Sequence, residues 1–134
     1  MNIPYVENDV SETVEMIVDT EEILSTLRDN GQIENPTYDY ASDCYDMCNI
    51  MTFIIGNKLN KLCEPETLLV KEGVFGMIGN HTWLEIEGVI IDGTLKQFIP
   101  KANKMSIIDS SFDQYFAVKS YTFENWVNES SNFL

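Results

Sequence analysis

The spacing of apolar residues changes period near residue 68, and that change limits the folds open to this chain. Before it, Val10, Val14, Ile17, Val18, Leu24 and Leu27 recur at three- and four-residue steps with acids between them. This predicts an amphipathic helix over 9–30, with Asp9 and Glu12 in a capping arrangement and Gly31 as its stop. A second, more apolar helix is predicted over about 43–59 (CYDMCNIMTFIIGNKL), capped by Asp43 or Ser42. Beyond residue 68 the period is that of strands: LLVKEGVF (68–75), HTWLEI (81–86), VIIDGT (89–94) and YFAVKSYTF (115–123). A short helix or tail at 124–134 ends the chain. Helices followed by antiparallel strands predict an α+β domain whose helices pack on one face of a small sheet. At 134 residues there is room for one such domain, spanning 1–134.

Charge narrows the function classes. The chain carries −14, and residues 1–46 hold twelve acids against Arg28 alone. Such a field repels phosphate backbones, so direct nucleic-acid binding is not expected. The acidic segment is expected to be a solvated helix face, with a basic protein as the partner it would suit. No apolar stretch approaches the roughly 20 residues of a bilayer span, so no membrane association is expected. The start lacks the basic and apolar regions of a secretory signal. With three cysteines, an odd number, a disulfide framework is not expected, and the thiols are read as reduced and cytoplasmic. Cys44, Cys48, Cys63 and His81 form a nominal zinc set, but Cys44 and Cys48 share a helix and Cys63 has no neighbouring ligand. No metal or cofactor is expected.

The central hairpin carries the chemistry. A turn at Glu87-Gly88 pairs Ile86 with Val89 and puts Thr82, Leu84, Ile86, Val89, Ile91 and Gly93 on an apolar face. The opposite face carries His81, Trp83, Glu85, Ile90, Asp92 and Thr94. His81, the chain's one histidine, then lies diagonally across from Asp92, with Cα atoms roughly 7–8 Å apart. A carboxylate there can fix the imidazole's tautomer and raise its basicity. A nucleophile for such a base belongs at a helix N-terminus, where Cys44 stands. Cys48, one turn on, reads as a packed core thiol, and Cys63 as incidental.

Cys44 opening a helix, then VKEGVFG, then HTWLEIEGVIIDGTLKQF, resembles the core of the transglutaminase-like cysteine superfamily over about residues 40–98. The resemblance implies a papain-like fold, with the acidic helix before that core and a strand and helix over about 106–134 after it. It implies Cys44 as nucleophile, His81 as general base and acid, and Asp92 as the group orienting His81. The family's reactions pass through an acyl-thioester: hydrolysis, deamidation, cross-linking or acyl transfer at a peptide or amide. The stretch NPTYDYASD before Cys44 lacks the family's oxyanion-donating Gln. The Cys44 backbone N–H, with Tyr38, Tyr40 or Asn35, is the replacement considered, and Trp83 is a candidate packing or substrate contact.

Two functions are therefore expected. One is a thiol enzyme acting on a protein or peptide substrate through Cys44, His81 and Asp92. The other is a catalytically silent scaffold of the same fold, serving as an acidic protein-binding or inhibitor module.

Overall fold

The computed structural model describes residues 2–31 and 47–129. Helices α1 (Asp9–Ile17), α2 (Thr20–Asp29) and α3 (Met47–Leu59) precede a meander of β1 (Leu68–Phe75), β2 (Gly79–Ile86) and β3 (Val89–Asp92). Strands β4 (Ser106–Asp109) and β5 (Tyr115–Thr122) and helix α4 (Phe123–Glu129) follow. The five strands form one sheet in the order β4-β3-β2-β1-β5, each neighbouring pair antiparallel. The chain is thus an α+β domain. Among the described residues no helix is long and apolar enough to cross a membrane.

The single helix expected over 9–30 is two. Asp19 breaks it, because its carboxylate accepts from the backbone N–H of Glu21 and Glu22 at 3.1 and 3.2 Å and so caps a new helix. The first cap also lies one residue earlier than expected. Asn8 and Ser11 form a reciprocal capping box, with Ser11 N–H to Asn8 Oδ1 at 3.1 Å and Asn8 N–H to Ser11 Oγ at 2.7 Å. Gly31 stands just past the end of α2 at φ +75°, as its role of stop requires. The expected cap of the next helix, Ser42 or Asp43, lies outside the described residues.

The sheet holds one strand more than expected. The four-residue β4 pairs with β3 from Val89↔Asp109 to Asp92↔Ser106. Residues near the N-terminus cover its outer edge, with Val6 N–H to Ile107 O at 2.9 Å and Asp109 N–H to Pro4 O at 3.0 Å. At the other side of the sheet, β5 pairs with β1 and slips by one residue between Glu72 and Gly73. Gly73 is needed at that slip, since a Cβ there would run into the Phe116 carbonyl and the Ala117 Cα.

Both faces of the sheet's central strands are covered. Helices α1–α3 pack Val14, Leu24, Leu27, Met51 and Ile55 against Leu68, Val70, Leu84 and Ile91. Thr52 of α3 donates to the Thr82 carbonyl of β2 at 3.4 Å, which ties the helix to the strand that carries His81. The second face is closed by the chain after β3. Leu95, Ile99, Ala102 and Phe112 pack there on Phe75, Trp83, Ile90 and Ile108.

The β2–β3 turn has Glu87 at φ 50° and Gly88 at φ 80°, the pattern of a two-residue type I′ turn. A left-handed glutamate costs roughly 1–2 kcal/mol that Asn, which tolerates this region, largely avoids. Glu87→Asn is therefore expected to raise stability by about 0.5–1 kcal/mol in urea unfolding. An unchanged midpoint would mean that the turn does not strain the hairpin.

Candidate active site

The β2–β3 register pairs Ile86 with Val89 and Leu84 with Ile91, the pairing expected from the Glu87-Gly88 turn. It carries His81 and Asp92 onto one face. Nε2 of His81 donates to Oδ2 of Asp92 at 2.6 Å, with both side chains at most 1 % exposed. A carboxylate only accepts, so Nε2 must hold the proton, and Nδ1 is the nitrogen left for chemistry.

Strand β3 stops at Asp92, and the chain turns back on the carboxylate. The Thr94 N–H donates to Oδ1 at 2.8 Å and the Thr94 hydroxyl to the same oxygen at 3.3 Å. The Tyr115 hydroxyl, from the start of β5, donates to Oδ2 at 2.7 Å. Trp83 stacks on the imidazole with centroids 5.8 Å apart, and Phe98 meets it edge-on at 4.9 Å. Trp83 is 2 % exposed, which gives it a packing role against His81.

Burial acts most strongly on His81 and by itself would lower its pKa. The Asp92 charge and hydrogen bond, with smaller contributions from Cys48, reverse this and raise it from 6.5 to about 9. Burial would likewise raise the Asp92 pKa, but His81, Tyr115 and Thr94 together hold it below its usual value. At neutral pH the two form a buried imidazolium–carboxylate pair.

Among the described thiols, the one that acts on this ring is Cys48, in the first described turn of α3 and 6 % exposed. Asp92 occupies Nε2, and Nδ1, the nitrogen left open, is buried and makes no hydrogen bond among the described residues. Cys48 and His81 line one pocket of ≈ 380 Å³ together with Asn49, Glu72, Gly73 and Asn80. Gly73 lies directly across β1–β2 from His81 and puts no side chain beside it. The pocket's β5 wall is Val118 and Lys119, at the slip in register.

The chain matches no family model, no curated protein and no solved structure.

Of the residues singled out in the sequence, the fold brings His81, Asp92 and Trp83 together. Cys44, Tyr38, Tyr40 and Asn35 lie outside the described residues. Cys48, read as core packing, is buried as that reading requires, yet it also lines the pocket of His81. Cys44 and Cys48 are four residues apart in the sequence, a spacing that by itself favours neither. Gly73, a glycine in the middle of a strand, was a legible sign of close approach at this point. Cys63 is elsewhere, beside Leu59, Leu62 and Ile86, and burial followed by the Glu87 charge raises its thiol pKa.

The ion pair makes stability depend on pH with a definite sign. The folded-state pKa of His81 lies above its unfolded value. Its contribution is therefore full below about pH 6.5 and is lost as pH rises through about 9. The Asp92 contribution is full above about 3.8 and is lost as pH falls through its lower folded value. Urea midpoints should decline from pH 6.5 to 9.5, and Asp92→Asn should flatten that decline. An equally steep decline in the variant would show that other groups cause it.

Proposed function

We propose that this protein is a cysteine-dependent acyl-transfer enzyme acting on a peptide or amide bond, with a transglutaminase-like, papain-like core. One observation carries the reading: a single imidazole held through Nε2 by a buried carboxylate, with a cysteine lining the same pocket. Among the described thiols only Cys48 lines that pocket, and we take it as the nucleophile; Cys44, to which the sequence pattern assigned that role, lies outside the described residues.

The reaction starts from Cys48 as thiolate and His81 as imidazolium. Sulfur attacks the carbonyl carbon, forming the S–C bond and placing negative charge on oxygen. The Nδ1 proton passes to the leaving nitrogen as the C–N bond breaks, leaving an acyl-thioester. Water or an amine then gives a proton to Nδ1 as it attacks the thioester carbon, and the Cys48 sulfur leaves. Asp92 keeps the ring oriented and holds the positive charge on it. In this reading Asn49 or Asn80, both lining the pocket, would supply the oxyanion donor. A reduced thiol is essential to this chemistry, which suits a cytoplasmic setting.

A second reading draws on a different surface. Glu7, Asp9, Glu12, Glu15, Asp19, Glu21, Glu22 and Asp29 are all exposed on and beside α1 and α2. Lys104 answers one of them, pairing with Glu21 at 2.6 Å. This surface supports an acidic module that binds a basic protein, with the scaffold catalytically silent.

Alkylation by iodoacetamide, followed by mass spectrometry, separates these. The enzyme reading expects Cys48 to react at pH 6–7 at least about tenfold faster than Cys63, and to lose that advantage in His81→Ala. Fast labelling of Cys44 with Cys48 inert would return the nucleophile to Cys44. Slow reaction at both would sink the enzyme reading and leave the acidic surface as the functional one.

A further inference from the structure

The Asp92 carboxylate is shared in a way the triad does not require. Thr94 takes Oδ1, while Oδ2 accepts both His81 Nε2 at 2.6 Å and the Tyr115 hydroxyl at 2.7 Å. The Tyr115 ring is fixed by aromatic neighbours on several sides: Trp83 at 4.9 Å, Phe75 at 5.1 Å and Phe112 at 6.0 Å. A phenol so enclosed has little freedom to turn its hydroxyl elsewhere, and a buried hydroxyl without an acceptor is costly.

We propose that Tyr115 is a positioning residue of this site, whose hydroxyl shares Oδ2 with His81 and so sets how tightly the imidazolium keeps its proton. A hydrogen bond donated to a carboxylate draws charge toward the donor, leaving less for the second partner on the same oxygen. Tyr115 therefore acts in two directions. It helps keep Asp92 ionised, and it weakens Asp92's hold on His81, bringing the ring's proton nearer to release at working pH. The relevance to turnover rests on the acyl-transfer reading above; the effect on His81 does not.

Among the described residues the titratable groups around the ring are few. Asp92 faces it from β3, Cys48 from α3 and Tyr115 from β5. Glu72 and Lys119 lie on the pocket wall, and Tyr5 acts on Tyr115. The phenol itself is held well above its ordinary range by burial and by the Asp92 charge, so it stays a neutral donor throughout the range in which His81 titrates.

Because His81 is the chain's one histidine, its imidazole titration can be followed by NMR without assignment ambiguity. Tyr115→Phe keeps the ring and removes the hydroxyl, while Thr94 still holds the carboxylate. The His81 proton should then be held at least about threefold more tightly, an upward shift of about half a pH unit. An unchanged or lowered pKa would overturn the proposal, as neither follows from a shared oxygen. Should the variant not fold, the wild-type protein supplies the test. A slowly exchanging Tyr115 hydroxyl proton with cross-relaxation to the His81 ring is expected, and its absence would overturn the proposal. Failure of the enzyme reading stays distinguishable, since it would show as slow alkylation of both Cys44 and Cys48 with the His81 shift intact.

Discussion

The site depends on a salt bridge that water does not reach. An isolated imidazolium or carboxylate at this depth would cost several kcal/mol, and the pair is tolerable because each group answers the other and Thr94 and Tyr115 satisfy the carboxylate's remaining lone pairs. Such a pair adds little to net stability compared with an apolar core of the same volume. It imposes a geometry instead: β2, β3, the turn after β3 and the start of β5 must all arrive in register for the carboxylate to be satisfied. The second apolar cluster, with Trp83 and Phe75 against His81, is the enclosure that makes this electrostatics strong.

Much of this was legible in the sequence because it rests on local rules. The Glu87-Gly88 turn fixes the β2–β3 register, the register fixes the face, and the face brings His81 to Asp92. The break at Val18 and Asp19 was harder to see. Apolar spacing runs through it, and only the competition of the Asp19 side chain for backbone N–H groups divides the helix. Strand β4 escaped because SIID is short and takes its meaning from the neighbour it pairs with.

The choice between Cys44 and Cys48 shows where sequence reasoning stops. Apolar spacing alone does not tell which cysteine faces the imidazole; how far α3 advances along the sheet sets which of its residues stand near His81. That advance is set by tertiary contacts, among them Thr52 on the Thr82 carbonyl and Met51 and Ile55 beside Gly93. Tyr115 was invisible for a related reason. It begins the strand at the far side of β1 from β2, and only the assembled sheet returns its hydroxyl to Asp92.

The links that build the site close chain loops of unequal length. His81 and Asp92 are 11 residues apart, Tyr115 and Asp92 23, Thr52 and Thr82 30, and Trp126 and Glu72 54. Loop-closure entropy grows with separation, and contacts between near neighbours are the cheapest to form first. The hairpin that holds the acid–base pair is thus favoured to form before α3 delivers its sulfur and before β5 and α4 complete the sheet. Its charges would then meet water during assembly, and the strong coupling of the finished site would arise only when the aromatic enclosure closes around them.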